Sequence, residues 1–360
     1  MGVRIASAEV IPYALPFKWP YVTATGTLTR REMVLLRLRD DNGLIGLGEA
    51  VPLSLRGGAP LAQVVEELRA LGAHEMLDEV GLRGSTAGLS APARCAALTA
   101  LLDLRGRRAA ADHSPFVSPG IANSEHAAIR CNATLVAGDP FAVVSDAERW
   151  AAEGFTTFKL KLGTGDDAAQ VRAVREALGP RARIRVDTNG AWELETAKQV
   201  LGEIEPYEIE LAEQPVATVE EAAELAASTS IPLAADESVE SPEDARRGAS
   251  SGAFAMTGIK LSKVGGPEAA LEISELLPAY VTSALDGPVG IAAALQVAQS
   301  LGDLGRAADE SLAHGLATQR LFASTIASVE CELRGDMLHP PPGPGLGVEI
   351  DETALQAHRL

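Results

Sequence analysis

Five short apolar segments in the second half of the chain each contain ionisable residues near their ends: FKLKL with Lys159 and Lys161, RVDTN with Asp187, LAEQP with Glu213, AADES with Asp236 and GIKLSK with Lys260. From Lys161 onward these residues recur at intervals of 23 to 26 residues. That interval is the length of one strand-plus-helix unit, and a parallel barrel of such units collects its active-site residues from the carboxyl ends of several strands. Three carboxylates flanked by lysines therefore predict a metal site with bases beside it.

The lysines of these segments are candidates for acid/base chemistry. Lys159 and Lys161 are two residues apart, so they point to the same side of a strand. Two ammonium groups held side by side disfavour each other's charge, which lowers a lysine pKa and makes one of them usable as a base near neutral pH. We also assign Lys260 to the site. Lys263 is predicted to lie on the exit loop, because residues three apart cannot both face inward from a regular strand.

The three carboxylates are candidates for metal binding. Asp187, Glu213 and Asp236 are hard oxygen ligands from three different strand ends. Such a set suits Mg²⁺, with Mn²⁺ as an alternative ion and with water and substrate oxygens completing the octahedron. Any one of them alone reads more simply as a surface carboxylate, but their recurrence at barrel spacing favours the metal site. Asn189, two residues after Asp187, is either a polar residue of the site and a substrate-binding candidate or a turn residue.

The remaining sequence predicts the elements that position these residues. At 360 residues the chain exceeds the roughly 250 residues of one barrel, so a second module is expected. Residues 1–126 predict an α+β capping domain, with a hairpin turn at 40–43 and helices over 61–71 and 91–107. Residues 127–320 alternate strands with helices of 10 to 15 residues, which indicates a βα barrel.

Three further segments complete this organisation. Residues 321–360 are too proline-rich for a barrel unit and are predicted to return to the capping domain. Two stretches rich in Gly, Thr, Ser and Pro, residues 19–29 and 52–60, are predicted to be exposed irregular loops. Loops of this kind are expected to cover the barrel mouth and to set specificity, as lids do.

Charge and cysteine content restrict the class of partner. The net charge of −18 opposes binding to nucleic acid or to an anionic membrane, so we expect a small-molecule carboxylate substrate. Three cysteines are too few and too scattered for a disulfide framework or a zinc site. No run of 18 apolar residues and no apolar core of signal-peptide length is found, so a cytoplasmic location is expected. The oligomeric state, including a homo-oligomer, is left open.

With KLK, DTN, AEQP, ADES and IKLSKVGG in this order, the chain resembles the enolase superfamily, and specifically its muconate-lactonizing-enzyme branch. The resemblance implies an α/β fold in which an α+β capping domain covers a modified (β/α)7β TIM barrel. It also implies Mg²⁺ at the three carboxylates, Lys161 and Lys260 as acid/base residues on opposite faces of the substrate, and Lys159 tuning Lys161. The mandelate-racemase branch, which places a histidine at the end of the seventh strand, is disfavoured because this chain has VTSALDGPVG there.

Within the branch, TSALDGPVGIAAALQVA followed by LAHGLAT is similar to the o-succinylbenzoate synthase family. This likeness implies proton abstraction next to a carboxylate and then dehydration, a step of menaquinone biosynthesis. Dipeptide epimerases carry an Asp-x-Asp pair in the eighth strand for the substrate amine, and its absence argues against them. N-succinylamino acid racemase and muconate cycloisomerase activities remain alternatives, whereas a catalytically silent barrel and a phosphate-binding barrel are less favoured. Ser283 and Thr23 are candidates for contacting the distal part of the substrate.

Overall fold

A computed structural model of the chain describes residues 3–23, 26–53, 57–72, 77–111, 128–136, 139–163, 165–303 and 312–360. A few residues at the edges of these ranges are described for their backbone alone. The N-terminal part forms an antiparallel sheet in the order β3-β2-β1-β4, with three helices beside it. Its elements are β1 (Arg4–Thr23), β2 (Gly26–Asp40), β3 (Ile45–Ala50), α1 (Leu61–Gly72), β4 (Leu77–Asp78), α2 (Glu79–Thr86) and α3 (Ala91–Ala111).

Two turns of this sheet test the sequence predictions. The predicted turn at residues 40–43 is confirmed, because Gly43 has a φ of +85°, which glycine adopts without steric cost. The prediction of an irregular loop over residues 19–29 is wrong. There β1 and β2 continue as a hairpin in which Tyr21 pairs with Leu28, although Trp19 is 80% exposed. The polar composition of this stretch concealed a backbone ladder that does not depend on side-chain polarity.

The second half of the chain forms a parallel barrel. Strands β6 to β12 hydrogen-bond in sequence order, and the short parallel bridges of His314 to Cys131 and of Gly315 to Thr282 add an eighth strand that closes the circle. The strands are β5 (Ile129–Arg130, outside the barrel sheet), β6 (Ala133–Leu135), β7 (Thr157–Lys161), β8 (Arg183–Asp187), β9 (Ile209–Glu213), β10 (Leu233–Ala235), β11 (Met256–Ile259) and β12 (Ala279–Val281). Alternation of strand and helix, which the sequence predicted, is confirmed.

The barrel helices begin directly after the loops that follow the strands. They are α4 (Pro140–Ala152), α5 (Asp167–Leu178), α6 (Leu194–Ile204), α7 (Val219–Ala226), α8 (Pro242–Ser251), α9 (Leu261–Val264), α10 (Pro267–Leu276) and α11 (Pro288–Asp303). Side-chain caps fix where several of them start, for example Asp139 before α4, and Thr218, which forms a reciprocal capping box with Glu221 in α7. Among the helices of the described ranges, none combines the length and apolarity needed to cross a bilayer.

The C-terminal tail contacts the first sheet. It contains β13 (Ala327–Val329), β14 (Glu332–Arg334), β15 (Met337–His339), β16 (Glu349–Ile350) and α12 (Glu352–His358). Phe322 stacks on Phe17 of β1 with ring centroids 5.0 Å apart, and Glu352 forms an ion pair of 2.6 Å with Arg37 of β2. These contacts are those expected of a tail that returns to the capping domain, although the boundaries at residues 126 and 320 stay a prediction.

Two buried carboxylates meet where β3 packs on α11. Glu49 accepts hydrogen bonds from the Tyr13 hydroxyl at 2.8 Å and from the backbone N–H of Gly287 at 2.6 Å. Burial, followed by the nearby charge of Asp286, raises the pKa of Glu49 to about 8. Burial also raises the pKa of Asp286. The contact between the first sheet and the barrel therefore contains a carboxyl group that is protonated in the folded protein at neutral pH.

This arrangement predicts a pH-dependent contribution to stability. The folded-state pKa of Glu49 lies above its ordinary value of 4.5, so its contribution is complete below that value and is lost as pH rises towards about 8. Relative to Glu49→Gln, which does not titrate, the wild-type free energy of unfolding should fall by about 1.4 kcal/mol per pH unit across that window. Urea denaturation at pH 5, 6.5 and 8 measures this difference. Parallel pH profiles for wild type and variant would contradict it, and Glu9→Gln, at a side chain 55% exposed, is the control.

Candidate active site

The barrel places the predicted residues at the carboxyl ends of five consecutive strands. Lys161, Asp187 and Glu213 are the last residues of β7, β8 and β9, and the strand register aligns them side by side. Asp236 directly follows β10, and Lys260 directly follows β11. Since β7 and β11 are the second and sixth strands of eight, the two lysines lie across the barrel from each other. The three carboxylates occupy the strands between them.

Ammonium groups contact all three carboxylates. The Nζ atom of Lys159 lies 2.6 and 2.7 Å from the two carboxylate oxygens of Glu213 and 2.8 Å from Oδ2 of Asp187. The Nζ atom of Lys161 lies 2.5 Å from Oδ2 of Asp187, and Lys260 contacts Oδ2 of Asp236. Lys159 and Lys161 therefore do share one side of β7, as the sequence predicted.

The prediction that Lys263 lies on an exit loop is wrong. Its side chain is buried, contacts the backbone carbonyl of Asp236 and lies 3.1 Å from Oδ1 of the same residue. The strand ends at Ile259, and the chain then turns into the short helix α9. In a helix, residues three apart share a face, so Lys260 and Lys263 reach the same carboxylate. The sequence argument failed because it extended strand geometry past the end of the strand.

Burial and charge give the two lysines of β7 opposite properties. Burial lowers the pKa of Lys161 and outweighs the attraction of Asp187, and the positive charges of Lys159 and Lys260 lower it further. Burial would also lower the pKa of Lys159, but the carboxylates of Asp187 and Glu213 outweigh it and raise the pKa. The expectation that one of the two lysines is poised to act as a base is thus met by Lys161. Lys159 stays a cation.

The carboxylates have the chemistry that a hard divalent cation requires. Asp187, Glu213 and Asp236 are all at most 1% exposed, and each offers oxygen donors. One cationic atom, Nζ of Lys159, contacts oxygens of both Asp187 and Glu213, so these two carboxylates converge on a common positive charge. The residues therefore fit Mg²⁺. Within the described ranges no three His, Cys, Asp or Glu side chains form a complete metal cluster, so the convergence of all three on one ion stays a prediction.

Gln214 is a residue of the site that the sequence analysis missed. Its Oε1 accepts hydrogen bonds at 3.0 Å from the backbone N–H groups of Asp236 and Ser238. Its backbone carbonyl accepts one at 2.7 Å from Gly190. Gln214 has a φ of +40°, a strained conformation for a side chain of this type. One amide thus holds together the ends of three strands that carry carboxylates, and the signal was its position directly after Glu213.

The three substrate-binding candidates have different surroundings. Asn189 combines both predicted roles, because it turns the chain with a φ of +53° and its Oδ1 accepts a hydrogen bond of 2.9 Å from Lys161. Ser283 lies just after β12, and its hydroxyl donates to Oδ2 of Asp286 at 2.8 Å. Thr23 ends β1, but its side chain lies outside the described residues, as do residues 54–56 of the second predicted loop. Contact of these residues with substrate stays a prediction.

Comparisons with known proteins agree with this architecture. The family model "Enolase C-terminal domain-like" matches residues 142–354, and "Mandelate racemase / muconate lactonizing enzyme, N-terminal domain" matches residues 5–112. The o-succinylbenzoate synthase of Thermobifida fusca (strain YX) is 40% identical over 214 residues, which are 57% of this chain and 63% of that protein. The alignment thus spans less than two thirds of the relative's length.

Two solved structures resemble the whole chain. Muconate lactonizing enzyme from Pseudomonas fluorescens, complexed with muconolactone, superposes with a TM-score of 0.88 at 27% identity and covers 100% of both chains. Dipeptide epimerase from Enterococcus faecalis V583, complexed with Mg and a dipeptide, superposes with a TM-score of 0.85 over 97% of this chain and 100% of its own, and its 24% identity shows the fold alone. The predicted TIM barrel with a capping domain is confirmed. The chain belongs to the enolase superfamily.

Proposed function

We propose that the protein is a Mg²⁺-dependent enzyme that removes the proton next to a substrate carboxylate, and that its reaction is the dehydration carried out by o-succinylbenzoate synthases. The observation that carries the proposal is the placement of Lys161 and Lys260 across the barrel with three buried carboxylates between them. The synthase assignment rests on the 40% identity with such an enzyme and on the eighth-strand segment of residues 312–318, which contains no acidic pair for an amine.

The side chains divide the reaction between two faces of the substrate. Lys161, whose pKa burial lowers, takes the proton from the carbon next to the carboxylate. Lys260 stays protonated on the opposite face and compensates negative charge that develops on the substrate carboxylate. When bound, Mg²⁺ would be held by Asp187, Glu213 and Asp236 and would supply Lewis-acid stabilisation of the same charge.

The elimination is completed by the proton that Lys161 has taken. The C–H bond electrons form the new C=C bond, the C–O bond on the same face breaks, and the Lys161 ammonium protonates the departing hydroxyl so that water leaves. The lysine returns to its neutral form, and atoms and charge balance. Asn189 accepts a hydrogen bond from Lys161, and Lys159 provides the adjacent positive charge, so these two residues orient and tune the base.

A racemase or a cycloisomerase on the same scaffold is the second candidate. The likeness to a muconate lactonizing enzyme over the full chain supports this class. A racemase needs Lys161 and Lys260 both to exchange protons, whereas a syn dehydratase needs only one base. Since both lysines are present, the distinction lies in the substrate-binding groups, and sites of one fold differ most in these groups.

A substrate panel tests the proposed reaction. The cyclohexadiene precursor of o-succinylbenzoate should be turned over with a kcat/KM at least about a hundredfold above that for N-succinylamino acids, muconate or dipeptides, because this ratio measures differential transition-state binding. Each assay is run with Mg²⁺ and with excess chelator, and only the first should show turnover. A preference for the N-succinylamino acid would overturn the dehydratase assignment but not the Mg²⁺-dependent proton abstraction.

Three further statements belong to this proposal. We place the capping domain at residues 1–126, the barrel at 127–320 and the returning tail at 321–360. A cytoplasmic location and a homo-oligomeric state are proposed as the sequence analysis left them. The substrate is a small carboxylate, with no nucleic-acid or membrane partner, which agrees with the net charge of −18.

A further inference from the structure

A tyrosine on the seventh barrel strand reaches a carboxylate three strands away. The hydroxyl of Tyr280 in β12 donates a hydrogen bond to Oε2 of Glu213 at the end of β9. Both side chains are 1% exposed, so the hydrogen bond lies inside the barrel and away from solvent. A hydrogen bond to a charged group in such surroundings is stronger than an exposed one.

The neighbouring strands are shaped to let this side chain cross the barrel. Gly258 of β11 pairs with Tyr280, and a Cβ at that glycine would lie 3.0 Å from the tyrosine oxygen and 3.1 Å from Cζ. The next strand, β10, presents only the small side chain of Ala234, which packs in one buried cluster with Tyr280. Any larger residue at position 258 would occupy the space through which the ring extends.

A buried cation holds the ring from another side. The guanidinium of Arg185 lies 5.2 Å from the centroid of the Tyr280 ring, within cation–π range. Arg185 is itself fully buried and donates a hydrogen bond of 2.7 Å to the carbonyl of Ala313. The position of the tyrosine hydroxyl is therefore set by its packing as well as by its bond to Glu213.

We propose that Tyr280 is a positioning residue that holds the Glu213 carboxylate in the orientation needed to bind the catalytic cation. The inference rests on the proposed function, in which Glu213 is a metal ligand. A donor fixed on Oε2 limits rotation of the carboxylate. Partners of this kind, which orient a ligating side chain, commonly change metal affinity about 10- to 100-fold when they are removed. Lys159 also contacts Glu213, but its longer and more flexible chain restricts the carboxylate less.

Direct titration with Mn²⁺, followed by electron paramagnetic resonance, tests the proposal without relying on turnover. Tyr280→Phe keeps the ring and removes only the hydroxyl, so we expect the Kd for Mn²⁺ to rise about tenfold. The matched control is Tyr13→Phe, which removes a buried hydroxyl bonded to Glu49, a carboxylate outside the proposed metal set. The control should bind Mn²⁺ as the wild type does, although both variants are expected to lose similar thermal stability.

A second variant tests the same contact from its other side. Gly258→Ala places a methyl group against the tyrosine hydroxyl and should also weaken Mn²⁺ binding. The double variant Gly258→Ala with Tyr280→Phe should bind no more weakly than Tyr280→Phe alone, because both changes act through one hydroxyl. Wild-type affinity in Tyr280→Phe would overturn the inference and leave the proposed function standing. A wild-type protein that binds no Mn²⁺ would overturn both.

Discussion

Lys161→Ala should lower the exchange of the substrate's α-proton with solvent deuterium by on the order of a thousandfold, because a positioned general base contributes roughly that factor. Lys161 is the expected base because burial and two neighbouring ammonium groups lower its pKa, whereas the pKa of Lys159 is raised. Exchange is followed by nuclear magnetic resonance of substrate in deuterium oxide, so the measurement does not depend on completion of the dehydration.

Two comparisons separate loss of the base from loss of charge or fold. Lys161→Arg keeps a cation next to Asp187 but cannot supply a neutral amine, so it should be as inactive as the alanine variant. Lys198→Ala, which removes an ion-paired lysine on α6, should exchange the proton as the wild type does. If Lys161→Ala retained wild-type exchange, the base would be another group, and Lys260 would be the next to test.

Glu213→Gln should lower activity by on the order of a thousandfold and should abolish measurable Mg²⁺ binding, because a charged oxygen ligand is replaced by a neutral amide. This substitution is preferred over changes at Asp236, whose removal would leave two buried lysines, Lys260 and Lys263, without their carboxylate. In Glu213→Gln, Lys159 retains the carboxylate of Asp187 at 2.8 Å, so the fold should persist.

Calorimetric titration with Mg²⁺ and thermal unfolding distinguish a lost ligand from a lost fold. The matched control is Asp146→Asn, which neutralises an acid 44% exposed on α4 and should leave both Mg²⁺ affinity and activity unchanged. Mg²⁺ binding by Glu213→Gln at wild-type affinity would remove Glu213 from the metal site. The effect of Tyr280→Phe should be smaller than that of Glu213→Gln, since one change orients the ligand and the other removes it.

Much of the site followed from local rules that a sequence displays directly. Strand periodicity placed Lys159 and Lys161 on one side of β7, and the spacing of 23 to 26 residues between charged segments indicated successive strands of a barrel. Helix positions were equally readable, as for α5, because its capping aspartate, Asp166, stands in the sequence next to the apolar pattern.

Other features were decided only by tertiary structure. Lys263 joined the site because β11 ended one residue before Lys260, a boundary that depends on barrel packing. The bond from Tyr280 to Glu213 joins residues 67 positions apart, and that from Gly287 to Glu49 joins residues 238 positions apart. Periodicity and capping describe neighbours along the chain. Contacts between distant strands depend on the closure of the barrel and on the space left by residues such as Gly258, so one sequence by itself did not determine them.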